Sequence, residues 1–141
     1  SQELKEKILS FKNVTYLGVI GREKICETIS ESMCGICLLL PTPNHLNSSP
    51  NKFFEYLAYG TPVLASNFDT WIKFIPEENN FIYYVDPNNI QSIKGFVLDI
   101  LKLDNKKIND IGLDGHNFIK EKFNWEIEEK RLFNAYEKLL S

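Results

Sequence analysis

The sequence holds no hydrophobic run long enough to cross a membrane, which takes roughly 20 apolar residues. Its longest, Gly35 to Leu40, is the length of a strand. The opening residues, SQELKEKI, are polar and alternate in charge, so no secretory leader is expected there. Basic residues are not in excess. Sixteen Lys and Arg against 19 Asp and Glu give a net charge of -3, which argues against the basic face of a nucleic-acid binder. Cysteine is scarce and odd in number, with Cys26, Cys34 and Cys37. No disulfide framework is expected from that count, and a reducing, cytoplasmic compartment is. Cys34-Gly35-Ile36-Cys37 has CxxC spacing, but it opens an apolar strand rather than a helix or a zinc knuckle, so buried thiols are the expectation. His45 and His116 have no partners at metal-ligand spacing, and no metal site is expected. Repeats, low-complexity tracts and Gly/Pro/Ser-rich linkers are absent too, which leaves one domain over residues 1–141.

What is present alternates between two periodicities. Helical spacing covers Gln2–Ser10, Arg22–Glu31, Pro50–Tyr59, Thr70–Ile75, Ile90–Leu101, Lys106–Phe123 and Glu126–Leu140, with Asn124 as a cap between the last two. Strand composition covers Asn13–Leu17, Gly35–Leu40, Thr61–Ser66 and Phe81–Val85, the second expected to be buried on both faces. Tyr83 and Tyr84 alternate, one toward the core and one toward a helix or solvent. Short buried strands alternating with helices predict an α/β fold, a Rossmann-like parallel sheet with flanking helices. Such sheets bind ligands beyond the carboxyl ends of their strands. The loop from Pro41 to Ser49 is therefore the first place to look, with Asp69, Trp71 and Lys73 near its rim.

The segment Asn47 to Ser66 carries the clearest punctuation. Ser49 is a candidate helix cap, Pro50 suits the first helical position, and Gly60 suits a left-handed end. A helix starting there presents free amides and a partial positive charge, an anion site. Ser48, Ser49 and Asn51 add small donors. Lys52 puts a cation in the first turn, where it opposes the helix dipole until an anion binds. Glu55, one turn on, is a carboxylate able to accept two bonds from a ribose diol. A plainer alternative remains open: a capped amphipathic helix in which Lys52 and Glu55 form a solvated i, i+3 pair.

The string SSPNKFFEYLAYGTPVLAS resembles the donor-site signature of the family-four retaining glycosyltransferases, which have the GT-B fold. Glu55 matches the family's ribose-binding Glu, and Gly60 to Ser66 match the glycine and strand that follow. The resemblance implies that the amides from Ser49 to Lys52 hold a diphosphate, Pro50 being unable to donate. The family's usual first Glu falls at Asn47. A branch common among bacterial polysaccharide enzymes, with Ser-x-Pro-x-Lys before its Glu, departs in the same way. Asn13 to Gly18 resembles the strand before the base-binding turn, Cys34 to Pro41 the strand entering the donor loop, Asn80 to Asn88 the strand and turn ahead of the late helices, and Phe123-Asn124-Trp125 the opening of the final helix.

The resemblance therefore implies the donor-binding, C-terminal part of a GT-B enzyme. That enzyme would transfer sugar from a UDP-, GDP- or ADP-sugar to a saccharide or lipid-linked acceptor, retaining configuration and using no metal or other cofactor. Glu55, Lys52, Asn51, Ser49 and Ser48 would hold the nucleotide, with Asn47 and His45 facing the sugar. The family's Gly-Arg strand, the Lys after it and the Gly-rich end of the second strand have no counterpart here; Gly21-Arg22 falls at the wrong place. The sheet is thus expected to lack its first two strands, and activity is not expected without them and an N-terminal acceptor domain. The full-length enzyme would work in the cytoplasm or at the inner face of the membrane. The missing strands would leave a gap between Asn13–Leu17 and Gly35–Leu40, closed by pairing of those two or by self-association at the exposed edge. Two rival readings are a GT-B nucleotide-sugar epimerase and a non-catalytic α/β interaction module.

Overall fold

Three short parallel strands organise the chain. They are β1 (Gly35–Cys37), β2 (Val63–Ser66) and β3 (Ile82–Val85), in the order β1-β2-β3. Gly35 pairs with Val63, and Val63 with Ile82. The computed structural model describes residues 2–140. Around the sheet lie α1 (Gln2–Leu9), α2 (Arg22–Ser30), α3 (Pro43–Leu46), α4 (Asn51–Ala58), α5 (Asp69–Phe74), α6 (Ile90–Ile100), α7 (Asn105–Lys122) and α8 (Trp125–Leu140). The fold is α/β, a small parallel sheet with flanking helices. No helix among the described residues is long and apolar enough to cross a membrane.

β2 is buried at every position because it has a neighbour on each side. Helix α4 lies across β1 and β2 and packs on α7, while α6 covers β3. Phe53 and Leu57 of α4 are fully buried with Trp71 and Ile75. Trp71 meets Phe53 and Phe68 edge-on, at ring separations of 5.9 and 4.8 Å.

Glycines set the closest approaches. Gly60 ends α4 at φ 73°, the left-handed cap expected of it. A Cβ on Gly112 of α7 would run into the Gly60 carbonyl oxygen, so the α4–β2 turn sits directly on the α7 backbone. Four residues on, His116 Nδ1 lies 2.7 Å from the Ala58 carbonyl oxygen. This histidine, with no role expected of it, ties α7 to the end of α4. The ring of Tyr56 lies where a side chain on Gly35 would go. Asn124 caps the last helix as expected, its Oδ1 accepting from the Ile127 amide at 3.0 Å. Tyr84 turns inward and donates to the Ile75 carbonyl at 2.8 Å, whereas Tyr83 packs on Phe96 of α6 at 4.7 Å.

Four expectations need correction. Asn13–Leu17 is not a strand: it runs without secondary structure, with Val14, Tyr16 and Leu17 exposed. A strand-forming composition becomes a strand only where a neighbour completes the ladder, and this segment pairs with neither β1 nor any other strand. β1 is shorter than Gly35–Leu40 and is buried on one face only, Ile36 being 57% exposed. The ladder stops because Ser66 Oγ takes over: it accepts from the Leu39 amide at 2.8 Å and donates to the Leu39 carbonyl at 2.9 Å. The loop Thr42–Ser49 contains a turn of helix, α3, with Pro43 at its start. Pro50, not Ser49, is the N-cap of α4, and no side chain caps that helix.

Candidate functional site

The loop between β1 and α4 leaves the carboxyl end of the sheet and is fastened at several points. Besides the Ser66–Leu39 pair, Thr70 Oγ1 donates to the Leu46 carbonyl at 2.5 Å and Trp71 Nε1 to the Ser48 carbonyl at 2.8 Å. Trp71, placed at the rim by its position in sequence, is instead a fully buried core residue that reaches out through its indole nitrogen. Three candidate residues serve the loop itself. His45 Nδ1 lies 2.8 Å from the Leu40 carbonyl oxygen, Asn47 Nδ2 donates to Pro43 at 3.1 Å, and Ser48 Oγ donates to His45 at 2.9 Å. His45 Nε2 and Asn47 Oδ1 are not used in those contacts.

α4 then presents its first turn. A proline cap with no side-chain bond leaves the opening amides of Asn51 and Lys52 without an intrahelical acceptor. The remaining candidates distribute over shallow hollows on the two flanks of α4. Ser49, Asn51 and Glu55 face α7 and α8, in a hollow of about 620 Å³ that includes Phe123 and Glu128. Asn51 and Lys52 border a second hollow, about 360 Å³, beside Ile36 and Cys37 of β1. Lys52 and Glu55 together border a third, about 270 Å³, whose opposite wall is Ile20, Ile25 and Thr28. Glu55 also lines an adjoining hollow of about 240 Å³ with Arg22, Cys26 and Tyr59. Glu55 is thus the residue common to three of the four.

No ion pair joins Lys52 to Glu55, and neither these two nor Arg22 takes part in a salt bridge among the described residues. The plain i, i+3 pair is therefore not formed. Arg22 and Lys52 border two separate hollows between α2 and α4 that share Glu55, Ile25 and Ile29, and none of the three charged groups has a counter-charge in contact among the described residues. Composition gave no hint of Arg22, Cys26 and Tyr59 in the first of these hollows, because they come from elements that only the fold brings together. Cys26 Sγ and Tyr59 Oη lie 2.7 Å apart across it, a contact that pushes the Tyr59 phenol pKa upward.

The CxxC pair brackets β1, Cys34 just before its start and Cys37 at its end. Cys34 is partly buried and Cys37 buried, and all three cysteines are free. Burial pushes the Cys34 thiol up to about 11 and raises Cys37 as well, with Lys52 partly opposing it. No cluster of three or more His, Cys, Asp or Glu suited to a metal occurs among the described residues. Neither a scan against protein-family models nor a search of curated proteins finds a match to this chain.

Proposed function

We propose that this chain is the nucleotide-sugar-binding part of a retaining glycosyltransferase of the GT-B type, its small parallel sheet being one side of a Rossmann-like domain. The observation that carries the reading is that Glu55 is shared by the two α2–α4 hollows that Lys52 and Arg22 border, with none of the three ion-paired among the described residues. Glu55 accepts the ribose hydroxyls. Lys52 and the open amides of Asn51 and Lys52 take the diphosphate, with Ser48 and Ser49 beside them. The base lies toward the turn from Gly18 to Arg22, whose guanidinium adds a second positive charge at the adjoining hollow. Asn47 Oδ1 and His45 Nε2 face the transferred sugar. The work of such a site is electrostatic: it offsets charge on the leaving diphosphate as the anomeric bond lengthens. The acceptor, saccharide or lipid-linked, is held by a further domain, in the cytoplasm or at the inner membrane face.

The test is calorimetric titration of this chain with UDP, GDP and ADP. One of the three binds the wild type, and Glu55→Ala weakens it about tenfold or more, the scale of a bond to a charged group. No binding by any of the three, in a folded sample, removes the reading and leaves the interaction module. Turnover of a nucleotide sugar by this chain alone would overturn the incomplete-site part of it.

A further inference from the structure

The sheet has a second open edge, on the outer side of β3. The Val63 amide bonds the Phe81 carbonyl at 2.9 Å and the Asn67 amide bonds that of Val85 at 3.0 Å. Bonds in a parallel ladder alternate, so odd-numbered residues of β3 face β2 while Ile82 and Tyr84 face outward. Asn79 Oδ1 takes the Ile82 amide at 2.6 Å. That leaves the Ile82 carbonyl and both backbone groups of Tyr84 along a groove of about 400 Å³. Tyr83 and Phe96 form its aromatic side, and Glu77 and Asp99 make it acidic. Among the described residues Glu77 is in no ion pair, and Asp99 shares an exposed one with Lys102.

The chain also holds a strand-forming segment with no sheet. From Thr15 to Ile20 no backbone group has a backbone partner among the described residues. Val14, Tyr16 and Leu17 are about half exposed, and Val19 fully so. Lys12 stands three positions before Thr15, in a turn where the Val14 amide donates to the Phe11 carbonyl at 3.2 Å. The segment leads into Ile20, which faces Lys52 and Tyr56 of α4 across a shared hollow. Tyr56 covers Gly35 of β1, so within one molecule the segment is at the opposite edge of the sheet from β3.

We propose that residues 13–17 of a second copy add as a fourth strand along the outer edge of β3. Strand addition to an open edge supplies main-chain bonds, and the groove receives alternate side chains. Charge chooses between the two open edges. The hollow beside β1 ends on Lys52 and repels Lys12, whereas the β3 groove offers Glu77 and Asp99. Because the segment and the β3 edge lie on opposite sides of one molecule, the contact is heterologous and adds copies head to tail. This inference is independent of the donor-site reading and stands or falls separately from it.

Light scattering over rising protein concentration tests it. The wild-type mass climbs from monomer through dimer to larger species, while amide exchange slows in residues 13–17 and at Tyr84. Glu77→Lys combined with Asp99→Lys, and separately Lys12→Glu, each weaken association about tenfold. The triple variant regains most of it. These three side chains are at the surface, and circular dichroism confirms that each variant is folded. A monomeric mass at every concentration overturns the proposal. So does association that the charge reversals leave unchanged, which would place the contact away from the β3 edge, and so does a triple variant that stays weak.

Discussion

The indole Nε1 of Trp71 donates to the carbonyl oxygen of Ser48 at 2.8 Å. A fully buried core residue therefore holds the last turn of the loop that leads to α4. Trp71→Phe keeps much of the ring but removes the donor, leaving the Ser48 carbonyl short of a partner. The expected cost is about 2 kcal/mol, one lost bond plus the smaller ring, read from urea denaturation. On the proposed donor-site reading, the same variant weakens nucleotide binding as well, because the loop positions the opening amides of α4. A variant as stable as the wild type would show that water replaces the indole without penalty.

Ser66 offers a companion measurement from the other end of that loop. Its hydroxyl serves both backbone groups of Leu39 and is completely buried. Ser66→Ala removes two bonds at once from groups that water reaches poorly, and a loss of about 2–3 kcal/mol is expected. A loss under about 0.5 kcal/mol would mean that Leu39 finds other partners.

Two glycine substitutions should move stability in opposite directions. Gly112→Ala drives a methyl group into the Gly60 carbonyl and forces α7 away from α4. A cost of about 3 kcal/mol or more is expected. Gly95, in the middle of α6, has nothing within 4 Å of an added Cβ. Gly95→Ala gains the helix propensity of alanine, about 0.5–1 kcal/mol. Thermal melts of the two proteins side by side decide whether the Gly60–Gly112 contact is as close as described.

Alkaline pH should weaken the fold. Burial carries the Cys34 thiol from an ordinary 9.0 to about 11, and burial also raises Tyr84. For a group raised on folding, the unfolded chain loses its proton first. Stability is then complete below about pH 9 and declines as pH climbs toward 11. Two units correspond to at most about 2.7 kcal/mol from Cys34. Denaturation midpoints measured from pH 8 upward should fall across that window, and Cys34→Ala should shallow the decline. A flat profile in the wild type would mean that the thiol is better solvated than its burial implies.

Local signals in the sequence were read well where the physics is local. Gly60 takes the left-handed cap, Asn124 caps α8, and the alternation of Tyr83 and Tyr84 places one in the core and one on α6. The failures share a cause. Asn13–Leu17 has the composition of a strand, but whether a neighbour lies beside it is a tertiary question. β1 ends early because of a serine 27 positions from Leu39. The cleft formed by Arg22, Cys26, Tyr59 and Glu55 joins α2 to α4, with 33 positions between Cys26 and Tyr59. No periodicity carries that information. Ser49, Asn51, Lys52 and Glu55 are adjacent in sequence at one helix start, but which flank of α4 each one borders is set by the neighbouring elements and is not legible in the sequence.

The Tyr56 ring resting on Gly35 has a consequence for how this sequence can drift. Position 35 admits no side chain while position 56 is aromatic, and position 56 gains room to change only while 35 stays glycine. The two sites are bound as one unit of inheritance. Among homologues, any residue larger than glycine at the first should appear together with a small one at the second. Such paired replacement would mark the seam between β1 and α4 without any structure being consulted.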